Sequence, residues 1–160
     1  MTKDEHFMVH SAVFICLFDS NGHVLLHRRY NTGYGDGRYD MPSGHVEVDE
    51  RLVDAAAREL REETGIVLPP ESLHLWHINQ FAANGEHYYN FFFEADKWSG
   101  KPSITEPDKC DDMDFFALNK LPLLTAGSYV ALRHYPEAGV TLDYIDQSRY
   151  DEMGKREVLD

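Results

Sequence analysis

The chain has 160 residues, 42% of them hydrophobic and 12% aromatic, enough for one domain with a sizeable core. Its formal net charge of −13 argues against non-specific binding to nucleic acid polymers or to an anionic membrane. Cys16 and Cys110 provide no disulfide framework, and neither a basic leader nor an apolar run of membrane-spanning length is present, so a cytoplasmic setting is expected.

In chain order, residues 1–6 are polar and read as a loose end, which leaves an expected ordered core of about residues 7–146. Residues 9–18, VHSAVFICLF, are rich in β-branched and aromatic side chains and predict a strand buried on both faces. Asn21-Gly22 marks a hairpin turn into a returning strand over residues 23–29. That strand ends on Arg28 and Arg29, which either offset the acidic surface or reach an anionic ligand. Residues 30–39 form a loop by composition, with Tyr30, Tyr34 and Tyr39 available to stack on a planar ligand or to cover the edge of the core.

Residues 44–66 read GHVEVDERLVDAAARELREETGI. Their Ala, Leu, Arg and Glu content predicts a helix, with Asp49 as N-cap, Glu50 in the first turn and Gly65 as the stop after Thr64. Glu59, Glu62 and Glu63 are spaced i, i+3, i+4, which places three carboxylates within an arc of roughly 100° on one face. Like charges at that spacing repel. Either the face is simply solvated, with Arg58 pairing to Glu62, or a hard divalent cation such as Mg2+ gathers the oxygens.

Beyond this helix, Pro69-Pro70 is a break. Strands are predicted over residues 73–81 and 87–95, joined by a turn at Asn84-Gly85. Residues 96–112 form a long polar loop, 113–118 a short strand and 128–137 a short helix. In the charged tail only residues 140–145 look ordered. Mixed strands with one central helix and a second later one suggest an α+β domain spanning residues 1–160.

Gly44, Glu50, Arg58-Glu59, Leu60, Glu62-Glu63, Gly65 and Ile66 fall at the spacing of one fixed pattern and resemble the Nudix box at all of its defining positions. The likeness extends more loosely over residues 9–132 and is of the MutT type. It implies a Nudix α/β/α sandwich with a mixed sheet and a loop-helix-loop box. It also implies Mg2+-dependent hydrolysis of a pyrophosphate bond in a small nucleotide, with Mn2+ as an alternative ion and a monomer or homodimer as the assembly. In such a protein Glu59, Glu62 and Glu63 are metal ligands and catalytic groups, joined by the Ser43 carbonyl, while Arg58 holds a glutamate in place behind them. Arg28, Arg29 and Tyr34 are then candidates for substrate contact. Two departures stand out. The family's Pro-Gly-Gly is Pro42-Ser43-Gly44 here, and Lys101 stands where MutT carries an acidic residue. The general base is therefore either Glu106 or a box glutamate such as Glu59, with Asp111 and Asp112 as weaker candidates. A non-catalytic nucleotide-binding module of the same fold is the alternative reading.

Overall fold

The computed structural model describes residues 7–154. Among the described residues, eight strands form two sheets. The larger has the order β4-β1-β6-β5-β8, built from β1 (His10–Cys16), β4 (Ser43–His45), β5 (Leu73–Ala83), β6 (Glu86–Ala95) and β8 (Thr141–Asp146). The smaller has the order β3-β2-β7, built from β2 (Val24–Arg29), β3 (Tyr39–Asp40) and β7 (Cys110–Phe116). The larger sheet is mixed: β1–β6 and β5–β8 are parallel, whereas β1–β4 and β5–β6 are antiparallel.

Alternation along β1 sends its side chains to two different cores. Val13, Ile15 and Leu17 pack with Ala55, Ala56 and Leu60 of α1 (Leu52–Thr64). Phe14 and Cys16 face the other way, toward Ala131 and Leu132 of α2 (Ala126–Arg133). A third cluster joins Phe81, Val130 and Ile145 to Met153 of α3 (Gln147–Gly154). Helices therefore cover both faces of a mixed sheet, as expected of an α/β/α sandwich.

Several boundaries differ from the sequence expectation. The helix begins after Arg51 instead of Asp49, and Glu50 lies ahead of its first turn. Asp49 has φ 62°, the left-handed region, so it ends a turn and caps nothing. The reason is Glu50, whose carboxylate accepts from the Glu47 amide at 2.9 Å and from Arg58, which holds this segment as a loop. Strand β7 starts at Cys110 because Arg29 pairs with it, which shortens the polar loop. Helix α2 starts two residues earlier than expected and stops before Tyr135-Pro136. Helix α3 was not expected at all; its one buried residue, Met153, leaves almost no apolar period to read. The expectation for residues 1–6 lies outside the described residues. No helix among the described residues is long and apolar enough to cross a membrane.

Candidate active site

Strand β4 is an edge strand, with Gly44 opposite Val13 and Ser43 opposite Phe14. This register turns the Cα of Gly44 toward α1. A Cβ added there would lie 2.0 Å from Cδ of Glu59, so the carboxylate of Glu59 occupies the space that the missing side chain leaves. Ser43 is not among the residues with positive φ, so serine takes the second position of the family's Pro-Gly-Gly without a glycine conformation.

Arg58 organises the carboxylates around this gap. Its Nε and Nη2 donate to Glu50 at 2.8 and 2.9 Å, and its Nη1 donates to Glu59 at 2.7 Å and Glu62 at 3.3 Å. Nη2 also donates to the His45 carbonyl at 3.0 Å. One planar guanidinium thus ties the loop before α1 to the face of α1, a fork that lysine lacks. The Arg58 bonds are the main cause that holds Glu50 below its ordinary pKa.

Glu63 lies deeper. Its carboxylate accepts from the Ser43 amide at 2.8 Å and stands 3.7 Å from Nδ1 of His27. Burial raises its pKa well above the ordinary value, and the charges of Glu59, Glu106 and Asp40 add to that rise. Glu59 is raised for the same first reason, burial, which outweighs Arg58. Glu62 is the open member, with 45% of its side chain exposed.

Among the described residues, no three His, Cys, Asp or Glu side chains stand close enough to hold a metal ion as placed. Arg58 draws Glu59 and Glu62 one way and the Ser43 amide draws Glu63 another. The donor chemistry nonetheless suits a hard divalent cation: three carboxylates on one helix face, two of them resisting ionisation because they are buried and because neighbouring carboxylates add their charge.

Glu106 reaches the same place from a different element. Residues 103–105 close over the C-terminal end of α1: the Ser103 amide donates to the Thr64 carbonyl at 3.0 Å, and the amide of Thr105 to the Glu63 carbonyl at 3.4 Å. The Thr105 hydroxyl donates to the carbonyl of Glu62. Carbonyls that a helix end leaves unpaired are thereby satisfied, and Gly65, at φ 75°, turns the chain out. The next residue, Glu106, is close enough for its charge to raise both Glu59 and Glu63. Its carboxylate pairs with Lys109 at 2.8 Å.

The candidate substrate contacts are more committed than the sequence suggested. Arg28 makes a two-pronged pair with Asp111 at 2.7 and 3.2 Å, near the surface. Arg29 donates to the Tyr34 carbonyl at 2.7 Å and to the Thr32 hydroxyl at 3.1 Å, and lies over the Tyr34 ring. It therefore braces the loop after β2. Burial raises the pKa of the Tyr34 hydroxyl, which is hydrogen-bonded to Tyr150, while Arg29 lies over the ring. Asp112 accepts from the hydroxyl of Tyr39.

Two residues of this neighbourhood escaped the sequence reading. His27 is buried, its Nδ1 has no hydrogen-bond partner, and burial lowers its pKa to about 4, so it is neutral beside Glu63. Lys109 feels the charge of Glu59 and Glu63 as well as that of Glu106. Neither belongs to a motif. Both arrive through the β2–β7 pairing, which runs from Val24 opposite Phe116 to Arg29 opposite Cys110.

The NUDIX domain family model matches residues 8–136. The phosphatase NudJ of Escherichia coli K12 is 42% identical over 64 residues, which cover 38% of this chain and only 40% of that relative's length. The crystal structure of a MutT NUDIX hydrolase from Burkholderia pseudomallei is 30% identical, covers 81% of this chain and 99% of its own, and superposes with a TM-score of 0.74. A MutT protein from Methanosarcina mazei Go1, 20% identical over 92% of this chain and 96% of its own with a TM-score of 0.65, shares the fold.

Proposed function

The chain belongs to the NUDIX domain family, and on that premise we propose that it hydrolyses a pyrophosphate bond in a nucleoside triphosphate or related nucleoside diphosphate derivative, with Mg2+ or Mn2+ as cofactor. The observation that carries this reading is the set of carboxylates on one face of α1, each fixed in place by Arg58, the Ser43 amide or the gap at Gly44. Glu59, Glu62, Glu63 and the Ser43 carbonyl are the groups that would hold the ion, which supplies neutralisation of phosphate charge and acidification of a bound water.

The chain's own groups divide the remaining work. Arg58 fixes Glu59 and Glu62 from behind and takes no part in proton transfer. Glu106, on a loop pinned to the end of α1, faces the same space and is the candidate to take the proton from water. Lys109 pairs with Glu106 at 2.8 Å and so holds its carboxylate in place on that loop. Arg28, the more exposed of the two arginines, can exchange Asp111 for a phosphate oxygen.

Turnover of a nucleotide panel is expected to vanish with excess chelator and to return with Mg2+ or Mn2+. Full activity in chelator would overturn the metal assignment. A protein that binds nucleotides and turns over none of them, with either ion, would instead be a binding module.

For Glu106→Gln, kcat is expected to fall about 10-fold or more with KM little changed, because a base acts in the transition state. The deficit should shrink as pH rises and hydroxide replaces the base. Asp111→Asn and Asp112→Asn should act mainly on KM. An unchanged kcat for Glu106→Gln returns the role to the box, with Glu59 first.

A further inference from the structure

Strand β2 carries a buried imidazole to the foot of the carboxylate face. Leu25 packs in the core cluster with Ala55 and Leu60 of α1. His27, two residues on, shares that side of the strand and meets α1 at Glu63. Its partners across the smaller sheet are Asp40 on β3 and Met113 on β7. His27 is only 5% exposed, and its Nδ1 has no hydrogen-bond partner. Oε2 of Glu63 stands 3.7 Å from that nitrogen, beyond hydrogen-bond distance. Buried polar atoms are nearly always paired, so an exception beside a candidate metal ligand calls for a reason.

Glu63 supplies that reason. Arg58 pairs with Glu50, Glu59 and Glu62, whereas among the described residues no arginine or lysine pairs with Glu63. Its carboxylate accepts from the Ser43 amide at 2.8 Å, through the same Oε2 that faces His27. A bare lone pair on Nδ1 would repel this carboxylate, which places the ring proton on Nδ1. Burial keeps the ring uncharged, so both groups that face Oε2 are neutral N–H donors. A guanidinium or ammonium in their place would offset the charge of Glu63 and compete with a cation for its oxygens. A neutral donor orients the oxygens and leaves their charge to the ion. A shift of less than about 1 Å brings Nδ1 and the carboxylate to a hydrogen-bond distance of about 2.9 Å.

We infer that His27 is a positioning residue for Glu63, its Nδ1–H holding one carboxylate oxygen when a divalent cation takes the other; the inference rests on the metal set of the hydrolase reading above. His27 itself touches neither the ion nor the substrate. Ser43 belongs to β4 of the larger sheet and His27 to β2 of the smaller one. The carboxylate is therefore set from two sheets at once, on elements more rigid than a loop. Hydrogen bonds behind a metal ligand are typically worth about 10-fold to about 100-fold in metal affinity.

The test uses the full chain without substrate. Mn2+ affinity, read by paramagnetic titration, is expected to fall about 10-fold in His27→Leu, which keeps an apolar filling and removes the donor. His27→Asn sets an amide N–H at the place of Nδ1 and should stay within about 3-fold of the parent. His27→Gln carries its amide one carbon farther and should not recover the affinity. A role confined to packing would give the reverse order, with leucine better than asparagine. A second measurement needs neither turnover nor a variant. Proton–nitrogen NMR spectra of the parent should show the His27 proton on Nδ1, and its resonance should move downfield as Mg2+ is added; this decides the matter if the variants fail to fold. Parent affinity in His27→Leu, or an Nδ1 resonance indifferent to Mg2+, would overturn the assignment. A parent that shows these signatures and hydrolyses no nucleotide keeps the role of His27 and removes the hydrolase reading. Mg2+-dependent hydrolysis with none of the signatures removes the role of His27 alone.

Discussion

Glu62→Gln and Glu63→Gln are each expected to lower turnover at least about 100-fold, comparable to removing a key electrostatic group from a transition state. Glutamine keeps the shape and the hydrogen-bond acceptor but not the charge. For Glu63 the structure adds a signed prediction about stability. Burial raises the pKa of this carboxyl in the folded state, so ionising it costs the folded state free energy. That cost is absent below the unfolded pKa of about 4.3, grows as pH rises toward the folded pKa, and is fully present above it. In chelator at neutral pH, Glu63→Gln should therefore melt above the parent, with the gap closing as pH falls toward about 4.3. Excess Mg2+ should raise the parent's melting temperature and not the variant's, since only a ligand bound to the native state stabilises it. Gln variants that lose their fold yet keep full activity per folded molecule would mean that the acidic face is merely solvated.

The box was legible because its physics is local. A helix that carries Arg58 and three glutamates at i, i+3, i+4 needs only its own period to place them together, and the pairing of Arg58 with Glu59 and Glu62 lies on that one face. The resemblance implies only that Arg58 holds a glutamate; the structure identifies Glu50 as one of its partners and places it ahead of the helix instead of inside it. Asp49 has the residue type of an N-cap, but the Arg58 guanidinium claims the next residue, Glu50, and holds the chain in a loop until Arg51. A tertiary ion pair thus set the start of the helix against the local capping preference.

What the sequence left obscure depends on pairing between distant strands. Lys109 and His27 become neighbours of Glu63 only through the β2–β7 ladder, whose register shifts between Arg28 and Arg29. No spacing within either strand announces that shift. Arg29 and Tyr34 read as open to a ligand because loop composition says nothing about whether a guanidinium is already spent on a carbonyl and a ring. The contact of the His10, His45 and Tyr88 rings joins three strands, β1, β4 and β6, and is invisible in the sequence for the same reason. Helix α3 illustrates the opposite case, a local element with too little buried surface to leave a pattern.

Gly44→Ala is expected to cost about 100-fold in turnover while the protein stays folded, the loss that a displacement of about 1 Å can cause at a reacting centre. The added Cβ would lie 2.0 Å from Cδ and 2.1 Å from Oε1 of Glu59, far inside contact distance. The backbone of Gly44 has no positive φ, so alanine is not strained there. The clash falls on the far end of a flexible side chain and not on backbone, so it is relieved by swinging the Glu59 carboxylate away. That motion breaks the 2.7 Å bond from Nη1 of Arg58 and removes one donor of the proposed metal set, while the bonds from Arg58 to Glu50 survive. Calorimetric melting should then change little, whereas Mn2+ affinity, read by paramagnetic titration, should fall together with kcat. Glu59→Gln should reproduce the loss of affinity, and adding Gly44→Ala to it should cost little more, because both changes remove the same group. An alanine variant with the parent's Mn2+ affinity and turnover would show that the carboxylate of Glu59 need not occupy this gap, and would take Glu59 out of the site.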